Sequence, residues 1–414
     1  MDWSIPEDIV ELVKDLDAFI DAEIKPLEDE HPHFFDHRRE YNRTDWERDG
    51  YPAAAWREVL AEMRRRADAA GFYRYPLPEA LGGRDGSNLA MAVIREHLTT
   101  RGPGLHFPHA DEASVVANLP LALVLHRYGT AEQKEKYLER YVSGEVEIAF
   151  GLTEPGHGSD ATYLETTARR DGDDWVITGA KRFNSLSDAA EVDVVFARTS
   201  GQDGKARGIT AFLVPTDAHG FQIPYNHWTL NMPSDHPEVH LNGVRVPSGA
   251  VLGELDRGLD LAQLFVHENR IRQAASSLGA AQFCINESVK YAQSRVVFGK
   301  PLHEHQGVQW QLVELQTEAE LVRNTIHKTA AMMDEYGKTA VSDKVAMVNM
   351  RGNQLACKAA DRAIQIHGGM GYTRALPFEH IYRHHRRYRI TEGTDELQMR
   401  RIAANMFDFR SSRG

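Results

Sequence analysis

The sequence predicts an α+β multidomain fold: an N-terminal all-α domain (1–147), a central antiparallel β-barrel or sandwich domain (148–250) and a C-terminal four-helix bundle (251–414). Three observations predict it. Apolar residues recur at helical spacing through the first third of the chain. Between residues 148 and 250 the pattern changes to β-branched runs punctuated by Gly, Asp and Asn. Long apolar stripes at spacings of three and four then return.

In the first region, Ser4 and Glu7 have capping-box spacing, and Ile9, Val13, Leu16 and Ile20 fall on one helical face. Residues Ala54 to Gly71 are alanine-rich and predict a helix that stops at Gly71. Thr130 and Gln133 form a second capping box. The polar, His-rich stretch from His31 to Pro52 reads as a long surface excursion.

In the second region the runs Asp174–Gly179, Val192–Thr199, Ile209–Pro215 and Glu238–Pro247 read as strands. No helix-length spacer separates them, which favours antiparallel pairing over a doubly wound sheet. In the third, Ile271, Leu278 and Ile285 are a heptad apart. Val308, Leu312, Leu315, Ala319, Val322 and Ile326 alternate by four and three, and Val341, Val345, Val348 and Leu355 form a third stripe. Short connections between such stripes predict a bundle.

A length of 414 residues suits two or three domains with a large core, and 42% hydrophobic with 26% charged residues is ordinary for a globular protein. A formal charge of −12 argues against nucleic-acid binding as the main task. The two cysteines, Cys284 and Cys357, lie among apolar residues and read as reduced core thiols in a cytoplasmic setting. The longest apolar block, Leu119 to Leu125, is too short to span a membrane, and the acidic N-terminus lacks a signal pattern.

Five segments carry chemistry. "FGLTEPGHGSD" (Phe150–Asp160) is a glycine-rich loop whose backbone N–H groups suit an anion or a cofactor carbonyl, with Thr153 and Ser159 adding hydroxyls. "GAKRFNSLSDA" follows a strand. If extended, it puts Phe183 and Ser185 on one face, a flat ring beside a hydroxyl, which suits a planar heterocycle. "SRVVFGKPLHEHQ" joins two helices and is flanked by Arg295 and Gln306. "AIQIHGGMGY" ends a helix in a Gly-Gly turn but lacks the lysine and the preceding strand of a phosphate-binding loop. "YRITEGTDELQ" follows the basic run Arg383–Arg389. It reads either as a helix start, with Thr391 as cap and Asp395 and Glu396 in the first turn, or as a loop presenting Glu392 as a base.

Together "LTEPGHGSD", "R-x-x-FGKPL-x-x-x-Q", "QIHGGMGY" and "EGT", in this order and in this helical–β–helical frame, resemble the acyl-CoA dehydrogenase family across roughly residues 5–410. The resemblance implies FAD-dependent α,β-dehydrogenation of an acyl-CoA thioester to the trans-2-enoyl-CoA, as in fatty acid metabolism. Glu392 removes the α-proton as a β-hydride leaves for flavin N5. It implies flavin contacts from Phe150, Leu152, Thr153, Phe183, Ser185, Thr394 and Glu396. Arg295, Phe298, Gln306, Gln365 and Gly369 hold the diphosphate and adenosine part, several reaching a neighbouring subunit. Ser159, Arg270 and Gly393 contact substrate. A homo-oligomer, dimer or tetramer, and an electron-transfer flavoprotein as acceptor are also implied.

Some relatives place the base just before the residue matching Arg270. Here that position is Asn269, which cannot serve, and Glu268 is one residue and about 100° away on the helix. Phe183 and Ser185 replace the commoner Trp and Thr, keeping an aromatic face and a hydroxyl. Ala404 stands where the family's late Arg falls, which weakens expectations about CoA contacts more than about FAD.

The rival with the same fold is a flavin oxidase or monooxygenase that meets oxygen directly. A catalytically idle acyl-CoA-binding scaffold is a second, opposed by Glu392. A metal hydrolase is a third, hinted at only by His31–His33 and by His384 and His385. Lacking partners at site spacing, these read as solvated histidines, and no metal is expected.

Overall fold

The computed structural model describes residues 4–109, 112–337 and 340–409. In chain order the α-helices are α1 (Glu7–Phe19), α2 (Lys25–Glu30), α3 (Ala54–Ala69), α4 (Asn88–Thr100), α5 (Pro120–Tyr128), α6 (Ala131–Val142), α7 (Gly258–Ser294), α8 (Gln306–Tyr336), α9 (Ser342–His367), α10 (Phe378–Arg387) and α11 (Asp395–Met406). The strands are β1 (Thr44–Asp45), β2 (Tyr51–Pro52), β3 (Glu147–Gly151), β4 (Thr167–Asp171), β5 (Asp174–Lys181), β6 (Ala190–Arg198), β7 (Ile209–Pro215), β8 (Phe221–Gln222), β9 (Val239–Pro247), β10 (Val251–Leu252), β11 (Val296–Val297) and β12 (Lys300–Pro301). No described helix is long and apolar enough to cross a membrane.

The described chain divides into two compact units, residues 1–40, 62–118 and 267–414 in one, 41–61 and 119–266 in the other. In the first, most of the three predicted stripes faces one core, though Val308 and Leu312 at the start of α8 are only half-buried. Ile271, Leu278 and Ile285 of α7, Leu315, Ala319, Val322 and Ile326 of α8, and Val345, Val348 and Leu355 of α9 are all buried in it, together with Val341 just before α9. Burying such side chains stabilises by about 1.5–3 kcal/mol each. Beyond the three long helices, the region after residue 251 holds two short ones in place of one fourth helix. The short α10 and α11 both pack along α9, and α4 of the N-terminal region packs on α8. Gly279 permits close packing of α7 on α4, since a Cβ there would lie 2.1 Å from the Glu96 carbonyl oxygen.

In the second unit, eight strands form one sheet in the order β10-β7-β6-β4-β5-β9-β8, with β3 also pairing β6. The pairing is mostly antiparallel, but β3 runs parallel to β6, as does the single β4–β6 bridge. The purely antiparallel expectation is therefore corrected, and no closed barrel forms among the described residues. The cause is β3, which the polar surroundings of "EIAFG" had hidden. The sheet curls, so that Trp175 of β5 meets Phe212 of β7 with ring centroids 5.5 Å apart.

The Thr130–Gln133 capping box is present in full. The Ser4–Glu7 box is not. Pro6 occupies the N-cap of α1 and makes no side-chain cap bond. The 31–52 stretch is less superficial than its polarity suggested, since Phe34, Arg43, Thr44 and Tyr51 are buried. The histidines of the basic run are not solvated either. The run is the last part of amphipathic α10, with His384, His385 and the following Tyr388 inside.

Candidate active site

The first unit carries the acid. After α10, the N–H groups of Ile390 and Thr391 both donate to the Arg387 carbonyl (2.8 and 2.9 Å), turning the chain sharply. Thr394, not Thr391, caps α11. Its hydroxyl accepts from Leu397 N–H at 3.4 Å, and Asp395 and Glu396 fill the first turn. Between these lie Glu392 at φ +57° and Gly393 at φ +98°. A left-handed backbone costs a residue with a Cβ about 1–2 kcal/mol. Arg270 holds it there, donating from Nε and Nη2 to the Glu392 carbonyl at 2.9 and 2.6 Å. Gln398 Nε2 donates to the carbonyls of Glu392 (3.2 Å) and Gly393 (2.8 Å). A strained backbone fixed by this many donors aims its side chain.

The Glu392 carboxylate accepts a 3.0 Å hydrogen bond from Asn269 Nδ2. Asn269 in turn accepts from Asn118 Nδ2, and Asn118 accepts from Arg272 Nη1, so a line of donors points at the carboxylate. Arg272 is buried and paired with Glu268 at 3.1 Å. Glu268, the rival base, is buried in this ion pair. Glu392 itself is partly buried. Burial raises its pKa to about 7, against the lowering by the Asn269 hydrogen bond and the Arg270 charge. Such a carboxyl can hold or take a proton near neutrality.

Sequence reasoning dismissed Asn269 as a base and missed it as a donor. Asn118 and Asn269 are 151 residues apart, and no local pattern links them.

The second unit carries an aromatic and hydroxyl set. Phe150, on β3, stacks on Phe265 with centroids 4.2 Å apart and planes 6° from parallel. The loop after it is pinned from below. Lys181 Nζ donates to Glu154 Oε1 at 2.7 Å and to the Leu152 carbonyl at 3.4 Å, and both side chains of the ion pair are buried. The N–H groups of Glu165 and Thr166 also donate to Glu154 (2.5 and 3.0 Å). Burial alone would raise the Glu154 pKa, but Lys181 and these donors outweigh it and hold the carboxyl below its usual range. Arg182 N–H donates to the Thr153 carbonyl at 2.8 Å. The loop's outer surface is open, with Ser159 exposed. A Cβ at Gly156 would touch nothing within 4 Å, so the protein's own packing does not demand glycine there.

Phe183 and Ser185 do not sit in an extended segment. β5 ends at Lys181, and Phe183 adopts φ +55° in a turn. Extended geometry fails because Asn184 is drawn inward, its amide donating to buried Asp193 at 2.5 Å. The Phe183 ring is 52% exposed, a large apolar face in a strained conformation that its own unit leaves uncovered. Ser185 Oγ is 2.9 Å from His236 Nδ1, a partner the sequence did not suggest.

The remaining predicted cofactor residues of the first unit, Arg295, Phe298, Gln306, Gln365 and Gly369, are all exposed. Phe298, at the tip of the β11–β12 hairpin, is 98% exposed at φ +50°. Cβ atoms at Gly307 and Gly369 would meet nothing within 4 Å, whereas one at Gly371 would lie 2.2 Å from the Ile364 carbonyl oxygen. Glu396 is likewise exposed. Open glycines, a bare ring and an unburied guanidinium suit an extended anionic dinucleotide. The exposed Phe183 face and the glycine loop suit a flavin, so the residues present fit FAD.

Three family models match in sequence. They are the acyl-CoA dehydrogenase N-terminal domain over residues 6–145, the middle domain over 149–244 and the C-terminal domain over 256–407. The chain is 33% identical over 352 residues to a 3-(aryl)acrylate reductase of Clostridium sporogenes, covering 84% of this chain and 91% of that one. It is 30% identical over 342 residues to the caffeyl-CoA reductase–Etf complex subunit CarC of Acetobacterium woodii, covering 82% and 87%. A glutaryl-CoA dehydrogenase from Mycobacterium smegmatis in complex with FADH2 superimposes with a TM-score of 0.79 at 25% identity, covering 98% of this chain and 95% of that one. The chain therefore belongs to the acyl-CoA dehydrogenase family, FAD-dependent oxidoreductases that act on acyl-CoA.

Proposed function

We propose that the protein interconverts an acyl-CoA thioester and its trans-2-enoyl-CoA, with Glu392 moving the α-proton. One observation carries this reading: a partly buried carboxyl with a pKa near 7, aimed by a clamped left-handed backbone. Phe150, Leu152, Thr153, Phe183, Ser185, Thr394 and Glu396 would hold the flavin ring, and Arg295, Phe298, Gln306, Gln365 and Gly369 the rest of FAD. Bound FAD supplies the hydride acceptor. Ionised Glu392 takes the α-proton of the saturated thioester. Asn269 and Arg270 keep its carboxylate in place and favour the charged form, while burial makes it more basic than in water. Ser159, Arg270 and Gly393 are the substrate-side residues. A homo-oligomer and an electron-transfer flavoprotein complete the proposed assembly. The subunit relation is supported by the bare apolar residues Phe298, Trp310, Val313 and Leu321.

The two reductase-named relatives favour a second reading, the same proton step run backwards on an α,β-unsaturated thioester. A carboxyl with a pKa near 7 serves both directions, since it is part-protonated at neutral pH. The two are separated anaerobically. Flavin bleaching by a panel of saturated acyl-CoAs, short, branched and aryl-substituted, reads dehydrogenation. Recolouring of the reduced protein by the matching enoyl-CoAs reads reduction. An FAD-loaded protein that responds to no thioester in either direction refutes the proposal.

A further inference from the structure

Helix α10 carries a cluster that the reaction above does not use. His384 and His385 are wholly buried, and so is His109 of the segment after α4. One ligand nitrogen from each lies within 4.8 Å of the others. The ring centroids form a near-equilateral triangle, 4.9 Å between His384 and His385 and 5.2 Å from His109 to each.

The surrounding hydrogen bonds fix which nitrogens face inward. Asn353 Nδ2 donates to the Tyr388 carbonyl (2.9 Å), so its Oδ1 is the acceptor for Ser277 Oγ–H (2.7 Å). Ser277 has one proton, so its oxygen must accept from His385 Nδ1–H at 2.9 Å. His385 Nε2 is then a lone pair, 3.2 Å from His109 Nδ1. His384 turns Nε2 to the Tyr388 hydroxyl (3.1 Å), and its buried Nδ1 has no hydrogen-bond partner among the described residues. Arg387, which bears on His384, is itself paired with Glu112 at 3.0 Å.

We propose that His109, His384 and His385 bind one divalent transition-metal ion of the zinc class. Tetrahedral zinc at about 2.05 Å from each imidazole nitrogen sets those nitrogens about 3.3 Å apart and the ring centroids about 5.1 Å apart. The 3.2 Å nitrogen pair and the 4.9–5.2 Å triangle match both. Ser277 and Asn353 supply the outer hydrogen bonds by which metal-bound histidines are usually oriented. The ion would tie the segment around His109 to α10, the helix that leads into the Glu392 loop. Two adjacent histidines on one helix gave no metal spacing in sequence, because the third ligand is about 275 residues away.

The test uses the full-length flavoprotein, grown with added zinc and freed of loose metal by gel filtration. Elemental analysis should find one zinc per chain. His385→Gln and His384→Gln should each fall below a tenth of that, while His303→Gln, on an exposed site, keeps it. X-ray absorption on the wild type, which needs no variant to fold, should show imidazole nitrogens at about 2.0–2.1 Å. A folded wild-type protein without stoichiometric metal after growth with zinc, cobalt or nickel overturns the proposal. So does a metal shell lacking imidazole scattering, or a His385→Gln variant that keeps its full load.

Discussion

Replacing Glu392 with Gln should separate activity from stability in opposite directions. Gln keeps an oxygen for Asn269 Nδ2 and the backbone clamp from Arg270, and removes only the ionisable proton. Loss of a positioned base costs about 10²–10⁴-fold in rate, read as flavin bleaching in anaerobic stopped flow with the best acyl-CoA. The wild-type bleaching rate should climb tenfold per pH unit below about 7 and level off above it, because the base must be ionised. The same shift has a stability consequence. The folded state holds this proton more tightly than the unfolded chain, so its contribution is complete below about pH 4.5 and is lost as the pH rises to about 7. The gap is worth about 3 kcal/mol. Glu392→Gln should therefore equal the wild type in urea resistance at pH 4.5 and exceed it by up to about 3 kcal/mol at pH 8. A variant that bleaches within tenfold of wild type moves the base elsewhere. A flat wild-type profile between pH 6 and 8, or no stability gain at pH 8, refutes the buried-carboxyl argument.

Asn269→Ala removes a donor to the charged carboxylate and should move the acidic limb of the rate profile up by roughly one pH unit. Asn269→Asp adds a like charge beside Glu392 and should move it further, which the same titration reads. Lys181→Met leaves Glu154 buried without its cation and should cost about 3–5 kcal/mol in chemical denaturation. Phe183→Ala strips the exposed ring from its turn and should weaken FAD retention on dilution without changing the far-ultraviolet circular dichroism.

Some of this molecule follows from local physics. Most residues of the apolar stripes of α7 to α9 are buried where their spacing put them, because a helix presents every third and fourth residue to one side. The runs in β5, β6, β7 and β9 became strands, since β-branched and aromatic residues suit a pleated sheet. Glu392 was marked by the resemblance that "EGT" carries, since the local pattern alone also allowed a plain helix start there.

Other features depend on residues that meet only in the folded chain. The parallel pairing of β3 with β6 joins segments about 40 residues apart, and neither carries a mark of its partner's direction. The line from Arg272 through Asn118 and Asn269 to Glu392 draws on three stretches of sequence, so the pKa of that carboxyl belongs to the fold and not to "EGT". His384 and His385 looked like surface charge because composition counts polarity. Burial decided otherwise: once α10 turns those rings inward, the cost of a proton in a dry interior keeps them neutral. Residue type and spacing determined which elements form, and motif order marked which acid is exceptional. Proximity across the chain, and the exclusion of water it brings, decided what that acid and those histidines can do.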